Sequence, residues 1–339
     1  MRPLHRHPKV FRRGFTLLEL LISMAVSVLL VGIISQITSS VMKTTSSTSS
    51  KIDAFAAARL GFNLLNQRLS KATLNTFWAY DDPLNPTVYL RQSDLQFVIR
   101  QNQQESGYGQ EVYLMAPETY SGSSSLRSVS GLLNACSFFV QYGDNQSFRA
   151  STETGSRFRY RLMQGFQPTE NRAVFNNFYT SGSQGWIADI INAGGSPVTS
   201  GSWVSPLADN VIALLFWPRV SKVDDTTGTR LTGSNNAYAY DSRSNATDTP
   251  QPITANQLPP VVQITMVMIS EAAAQRIDTH SNTQPAAIEA ALSGRFTDVT
   301  QYDADLKGME SSLIQSHIAY QIFTTAVPLK ESKWSDSAQ

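Results

Sequence analysis

From Phe15 to Ile37 the chain reads FTLLELLISMAVSVLLVGIISQI, 23 residues with no Lys or Arg and a single charge, Glu19. No other feature limits the possible folds so strongly. At 1.5 Å per residue the run makes a helix of about 34 Å, enough to cross a hydrocarbon layer of about 30 Å. Upstream, residues 1–14 hold Arg2, Arg6, Lys9, Arg12 and Arg13 and no acid. A basic flank on that side keeps the N-terminus in the cytoplasm and exports everything past Ile37. The remainder carries 22 basic and 26 acidic side chains. A mildly acidic body without a basic tract argues against nucleic acid as the main partner.

Four readings compete for this run. A secretory signal has a shorter apolar stretch and a small-x-small cleavage site after it, and Ile-Thr-Ser-Ser-Val-Met offers no Ala-x-Ala. Arg12-Arg13-Gly14-Phe15 suggests a twin-arginine signal, but the run is too hydrophobic and the cleavage site is again missing. A plain signal anchor explains the length and the flanking charges. It leaves Glu19, a carboxylate set in hydrocarbon, without a reason beyond snorkelling to the interface.

The fourth reading accounts for every feature. Arg12-Arg13-Gly14-Phe15-Thr16-Leu17-Leu18-Glu19-Leu20-Leu21-Ile22 closely resembles the cleavage and methylation motif of type IV prepilins and pseudopilins. The resemblance implies that a membrane-embedded aspartyl peptidase cuts after Gly14 on the cytoplasmic side and methylates the new amine of Phe15. Arg12 and Arg13 are then the leader charge beside the cut. Glu19 becomes the fifth mature residue, where the family keeps its glutamate. Physical chemistry agrees with this assignment. Gly14 has no side chain, so the peptide can lie extended in a tight protease cleft. Cleavage uncovers an ammonium that lipid cannot solvate, and Glu19 is a carboxylate with the same problem. Stacked helices bring one subunit's Glu19 beside its neighbour's Phe15 amine, offsetting both desolvation costs. The isolated subunit is expected to offer Glu19 no good partner, so the pairing favours staggered assembly.

Residues 38–50, TSSVMKTTSSTSS, are Ser or Thr at ten of thirteen positions, and such a stretch reads as a tether or a weak helix. Beyond it Phe55, Ala58, Phe62, Leu65 and Leu69 recur at helical spacing. The spacing predicts one helix from about 16 to 73, weakened or bent in the Ser/Thr stretch, its distal apolar face packed on a head. The expected organisation is a basic leader at 1–14, a transmembrane segment at 15–37, the membrane-distal helix at 38–74 and an exported globular head at 75–339. Apolar or alternating runs predict strands at Val88–Leu90, Leu95–Arg100, Val112–Met115, Ser137–Tyr142, Phe158–Met163, Val211–Trp217, Val261–Ile269 and Ile318–Val327. Short helices are expected at 270–277, 285–292 and 303–315. Polar stretches fill 101–111, 120–131, 179–205 and 222–258, the last read as a long surface excursion. The class is α+β: a long N-terminal transmembrane and amphipathic helix, then a pilin-like, mainly antiparallel β head with long loops.

Downstream likenesses narrow the family. Ala58-Arg59-Leu60 through Arg68-Leu69 and Leu258-Pro-Pro-Val-Val-Gln-Ile-Thr-Met resemble the helix and a late strand of minor pseudopilins of the J type. Arg59 to Pro83, Leu207 to Pro218, Leu258 to Ile277 and Phe323 to Trp334 also resemble the Verru_Chthon cassette protein C family, itself of prepilin type. These resemblances imply a minor pseudopilin in an envelope-spanning filament of type II secretion or type IV pilus kind. Its partners would be the prepilin peptidase, other pilin or pseudopilin subunits and the inner membrane. It would cross that membrane once, with its head in the periplasm or at the cell surface.

Chemistry in the head is weighed against this structural role. After processing only His280 and His317 remain as histidines, and no Gly-x-Ser-x-Gly elbow or phosphate-binding Gly loop occurs. The chain is not expected to be an enzyme. Asp81-Asp82 before Pro83 reads as a turn more simply than as a catalytic pair. No cofactor is expected, although Asp224-Asp225 and Asn235-Asn236 through Asp241 leave open a structural calcium in the 222–250 loop. Cys136, the lone cysteine, lies in an apolar run and reads as a buried small hydrophobe. Among the five tryptophans, Trp186 and Trp203 stand beside Gly and Ser and are the expected exposed ones. An exposed aromatic surface keeps an alternative open: a membrane-anchored exported binding protein, such as a tip adhesin for carbohydrate or protein, with an anchored hydrolase ranked below it.

One outcome follows from the Gly14–Phe15 junction. Replacing Gly14 with a bulky residue such as Trp should block removal of the leader by a prepilin peptidase and leave membrane insertion intact. Gel mobility and carbonate extraction of the membrane fraction check both halves.

Overall fold

A computed structural model describes residues 16–104, 107–126, 128–146, 148, 155–170, 185–191, 203–243 and 250–335, with the side chains of 43–54 and 189 outside that description. The chain divides into two compact units, Met1–Ser50 and Lys51–Gln339. Helix α1, Leu17–Ser70, runs 54 residues. Its backbone stays helical through the Ser/Thr stretch, where no Pro or Gly intervenes. Leu17–Met42 is long and apolar enough to cross a membrane, with none of its most apolar window buried inside the molecule. This span takes in Thr38 to Met42, the start of the Ser/Thr stretch.

The distal part of α1 belongs to the second unit, as its periodicity predicts. Ala58, Phe62, Leu65 and Leu69 are buried and Phe55 is partly buried, whereas Leu60, on the opposite side, is 70% exposed. Gly61 sits where the helix meets the head: a Cβ there would stand 3.3 Å from Leu207 and 3.4 Å from Ala208. The last turn is clamped by charge as well as packing. Glu118 takes Arg68 at 3.4 Å and Lys71 at 3.0 Å, while the Arg68 guanidinium lies 4.4 Å over the Phe166 ring and donates to Gln164 at 2.6 Å.

Eleven strands are present among the described residues. They are β1 (Phe77–Tyr80), β2 (Tyr89–Gln92), β3 (Val98–Gln101), β4 (Gln110–Pro117), β5 (Leu133–Gly143), β6 (Arg159–Gln167), β7 (Val204–Asp209), β8 (Val211–Arg219), β9 (Tyr240–Asp241), β10 (Val261–Ile269) and β11 (Tyr320–Pro328). Each predicted strand overlaps an observed one. The short helices α3 (Glu271–Arg276), α4 (Ala286–Leu292) and α5 (Tyr302–Gln315) also fall where expected, and α2 (Gly185–Ile190) is additional. All strand pairing is antiparallel. The sheets are β1-β2, β11-β10-β8 and the six-stranded β7-β6-β5-β4-β3-β9.

Period-two alternation explains the layers. On β4, Val112, Leu114 and Ala116 enter the main core with α1, β8 and β10, while Tyr113 and Met115 enter a second core on the other face of the sheet. Helix α2 covers that second core with Trp186, Ile187 and Ile190. Being buried on both faces, β4 and β5 are nearly continuous hydrophobic runs. Gly109, at φ +86°, bridges to Leu214 of β8, where a Cβ would lie 2.1 Å from a backbone carbonyl oxygen. Only glycine fits both demands.

Three expectations need correction. The 222–258 stretch is not simply a surface excursion: β9 pairs with β3, and Leu231, Tyr238, Tyr240 and Leu258 are buried in the main core. Turn residues such as Asn235 and Asn236, both at positive φ, fold it back onto the sheet. The 179–205 stretch holds α2 and the start of β7. Trp186 is buried rather than exposed, its indole donating to Gln96 at 2.8 Å and its ring edge-on to Tyr113.

The packing of α1 gives a direct test. Leu65→Ala in the full chain should lower the head's unfolding free energy by about 2–5 kcal/mol, because it opens a cavity in a fully buried layer. Leu60→Ala should leave it unchanged. Urea unfolding followed by tryptophan fluorescence compares the two variants.

Candidate functional site

The strongest sequence candidates cluster at the start of α1. Arg12, Arg13, Gly14 and Phe15 lie outside the described residues; Thr16 and Glu19 lie within them. Thr16 precedes the helix and Glu19 is its only early acid. The Thr16 amide donates to Glu19 Oε2 at 3.0 Å, and the Thr16 hydroxyl donates to the same oxygen at 3.1 Å. In return the Glu19 amide donates to Thr16 Oγ1 at 3.3 Å. This is a reciprocal capping box: each side chain satisfies an amide that the first helical turn leaves open. The negative carboxylate also meets the positive end of the helix dipole.

The expectation that an isolated subunit gives Glu19 no partner is therefore corrected. Thr16-Leu17-Leu18-Glu19 carries the Thr-x-x-Glu spacing that signals such a box, so the contact was legible from sequence. Only Oε2 is engaged; among the described residues Oε1 accepts no hydrogen bond. Three hydroxyls of the helix bond back to its own carbonyls. Ser23 donates to the Glu19 carbonyl at 2.7 Å, Ser27 to that of Ser23 at 2.8 Å and Thr38 to that of Ile34 at 2.8 Å. Glu19 is the only charged group between Leu17 and Met42, and its Oε1 keeps open bonding capacity.

The head's candidates sit in turns, caps and the core. His317 follows α5 at φ 54°, its amide donating to Ile314 and the next amide, of Ile318, to Leu313, the double bond of a Schellman cap. His280 is exposed in a turn at φ 52°, its ring 3.6 Å from Asp278. Asp278 is itself held by Arg159 at 2.7 Å, and among the described residues no hydroxyl or thiol bonds to the imidazole. Asp81 closes the β1–β2 hairpin. It accepts from the Thr87 hydroxyl, the Thr87 amide at 2.8 Å and the Val88 amide at 3.2 Å, which hold its carboxyl well below the usual range. Asp82 accepts from the Leu84 amide at 2.8 Å. Burial pushes the Cys136 thiol up to about 12, the behaviour of an inert core residue.

The candidate calcium ligands are engaged locally. Asp224 accepts from Ser221 at 2.6 Å. Asp225 takes the amides of Thr227 at 3.1 Å, Gly228 at 2.8 Å and Arg230 at 2.8 Å. Burial pushes its carboxyl up, but those hydrogen bonds outweigh it and hold it low. Among the described residues no three His, Cys, Asp or Glu side chains gather, and residues 244–249 of this loop lie outside the description. Trp203 is exposed as expected, and the β1–β2 hairpin adds an aromatic surface that sequence reading missed: Phe77, Trp78, Tyr80 and Tyr89 are each about half exposed. The density of aromatics in Phe77-Trp78-Ala79-Tyr80 was the available signal.

Comparison with known proteins bears on one end of the chain. Neither the curated proteins nor the solved structures contain a match. Residues 11–35 match the family model described as the prokaryotic N-terminal methylation motif. The matched stretch contains Arg12, Arg13, Gly14, Phe15 and the Thr16–Glu19 box, and it supports a prepilin-like subunit of pilin or pseudopilin type.

Proposed function

We propose that the chain is a minor pseudopilin, a structural subunit of an envelope-spanning filament of type II secretion or type IV pilus kind. A prepilin peptidase cuts after Gly14 and methylates Phe15. The N-terminus stays on the cytoplasmic side of the inner membrane, and the head stands in the periplasm or at the cell surface. The J-type likeness of the distal helix and late strand, and the likeness to the Verru_Chthon cassette protein C family, favour a minor subunit. The role is structural rather than catalytic and uses no cofactor.

One observation carries the reading: the only charge in a membrane-length helix sits one turn from the expected mature N-terminus with an oxygen to spare. The capping box fixes the carboxylate through Oε2, leaving Oε1 for a cation. A neighbouring subunit's methylated Phe15 ammonium has the right charge, and lipid solvates neither group well. Neutralising each other across a subunit boundary removes both penalties.

A second reading rests on the exposed aromatics of β1 and β2. Tyr80 and Tyr89 pack with ring centroids 4.6 Å apart, and Arg91 lies 5.9 Å from the Trp78 ring. Such a surface suits a membrane-anchored binding protein, where the aromatic face takes carbohydrate or protein at a filament tip.

Glu19→Ala tests the first reading. Leader removal and membrane insertion should persist, because the cut needs Gly14 and the substitution makes the helix more apolar. Crosslinking of the mature protein to co-expressed pilin-like subunits should fall several-fold. Thr16→Ala, which frees the carboxylate without removing it, should give a smaller loss. Wild-type crosslinking by Glu19→Ala would show that this carboxylate does not direct assembly.

A further inference from the structure

Strand β11 forms one edge of the β11-β10-β8 sheet, and its outer side is open. The pairing parity fixes which groups face out. The Leu329 amide donates to the Pro260 carbonyl at 3.1 Å, and the Ser270 amide donates to the Ala319 carbonyl at 2.9 Å. Odd-numbered residues of β11 therefore bond to β10, and the amides and carbonyls of Tyr320, Ile322, Thr324 and Ala326 point away from it. Among the described residues these outward groups have no backbone partner, and Thr324 and Ala326 are exposed. The Ile322 carbonyl accepts from the Gln321 carboxamide of its own strand at 3.3 Å, and the side closes at its ends. Pro328 has no amide to offer, and beyond it the Lys330 amide donates to the Ser70 carbonyl at the end of α1 at 3.1 Å.

Proteins blunt such edges with charge, proline, bulges or shortness. On β11 the only such device is Pro328, at its last position. The strand spans nine residues, its register with β10 has no shift, and from Ile318 to Leu329 there is no charged residue. Its sequence, YQIFTTAVP, is rich in β-formers, the composition that recruits another strand. By contrast, the molecule does protect the outer side of β2. There the Gln251 carboxamide accepts from the Arg91 amide at 2.7 Å and donates to its carbonyl at 3.2 Å, standing in for a neighbouring strand.

We propose that the outer edge of β11 is a strand-addition surface occupied by the β11 of a second copy of this chain. Antiparallel pairing centred on Thr324 sets Thr324 against its own counterpart, Ile322 against Ala326 and Tyr320 against Pro328. Outward amides then meet outward carbonyls from Ile322 to Ala326, the Tyr320 amide meets the Pro328 carbonyl, and each large side chain faces a small or rigid one. An edge meeting a copy of itself brings like charges together wherever it carries any. This one carries none, so self-pairing is free of that repulsion. The proposal is independent of the Glu19 contact, which lies in the other unit.

The test uses the full mature chain in membranes. The only native cysteine, Cys136, is wholly buried, so the wild type gives a silent background. Thr324→Cys should form a disulfide-linked homodimer under mild oxidation, since paired strands bring the two Cα atoms within disulfide reach. Thr325→Cys, displaced from the centre of the register, should give several-fold less. Adding Ala326→Pro to Thr324→Cys should abolish the dimer, because it removes an outward amide that β10 does not use. Limited proteolysis of the head should match wild type in every variant. No dimer from a protease-resistant Thr324→Cys protein overturns the proposal. A band that survives Ala326→Pro, or a crosslink to a different protein in place of the homodimer, overturns it as well.

Discussion

A carboxylate in hydrocarbon must find a hydrogen-bond donor or a cation, because no water is there to solvate it. The first half of α1 is built around that requirement. From Leu17 to Met42 it carries no charge apart from Glu19, and Ser23, Ser27 and Thr38 turn back to carbonyls of their own helix. The Thr16–Glu19 box satisfies half of the carboxylate and fixes its position. The residual capacity at Oε1 leaves one charged acceptor on a surface that is otherwise mostly apolar.

The same helix changes its chemistry along its length. Beyond Lys51 it joins the head, where Ala58, Phe62, Leu65 and Leu69 form one wall of the main core and Arg68 and Lys71 close on Glu118. Apolar residues recur around the whole helix in the first half and along one stripe in the second. A single element thus has the length and apolarity to cross a membrane at one end and packs into the core of the head at the other. The Ser/Thr stretch between the two has neither the hydrophobicity for the first role nor the stripe for the second.

Much of this was legible in the sequence, for physical reasons that differ by element. The stripe from Phe55 to Leu69 repeats at helical period, and β10 is an apolar run bounded by Pro259-Pro260, so both were readable from pattern alone. Trp186 was misread because Gly and Ser neighbours signal a loop locally, whereas burial depends on a sheet face assembled from β3, β4 and β5. Strand β9 contributes two residues to a ladder, too few to leave a periodic trace, and its place beside β3 comes from Tyr240 entering the core. At the site, the Thr-x-x-Glu spacing signals the local bond, and an isolated charge in an apolar run signals a partner on another chain; the two signals fall on the same Glu19. The open side of β11 needs hydrogen-bond parity, which a sequence does not carry.

The central claim is that the apolar helix begins, in the mature protein, at a methylated Phe15 one turn from Glu19. Intact-mass spectrometry of the membrane-extracted protein, co-expressed with a prepilin peptidase, tests it most directly. The account predicts a species lacking residues 1–14 and carrying one added methyl group, which fragmentation places on the Phe15 amine. A protein that retains Met1, or one cut beyond Ile37, would contradict it.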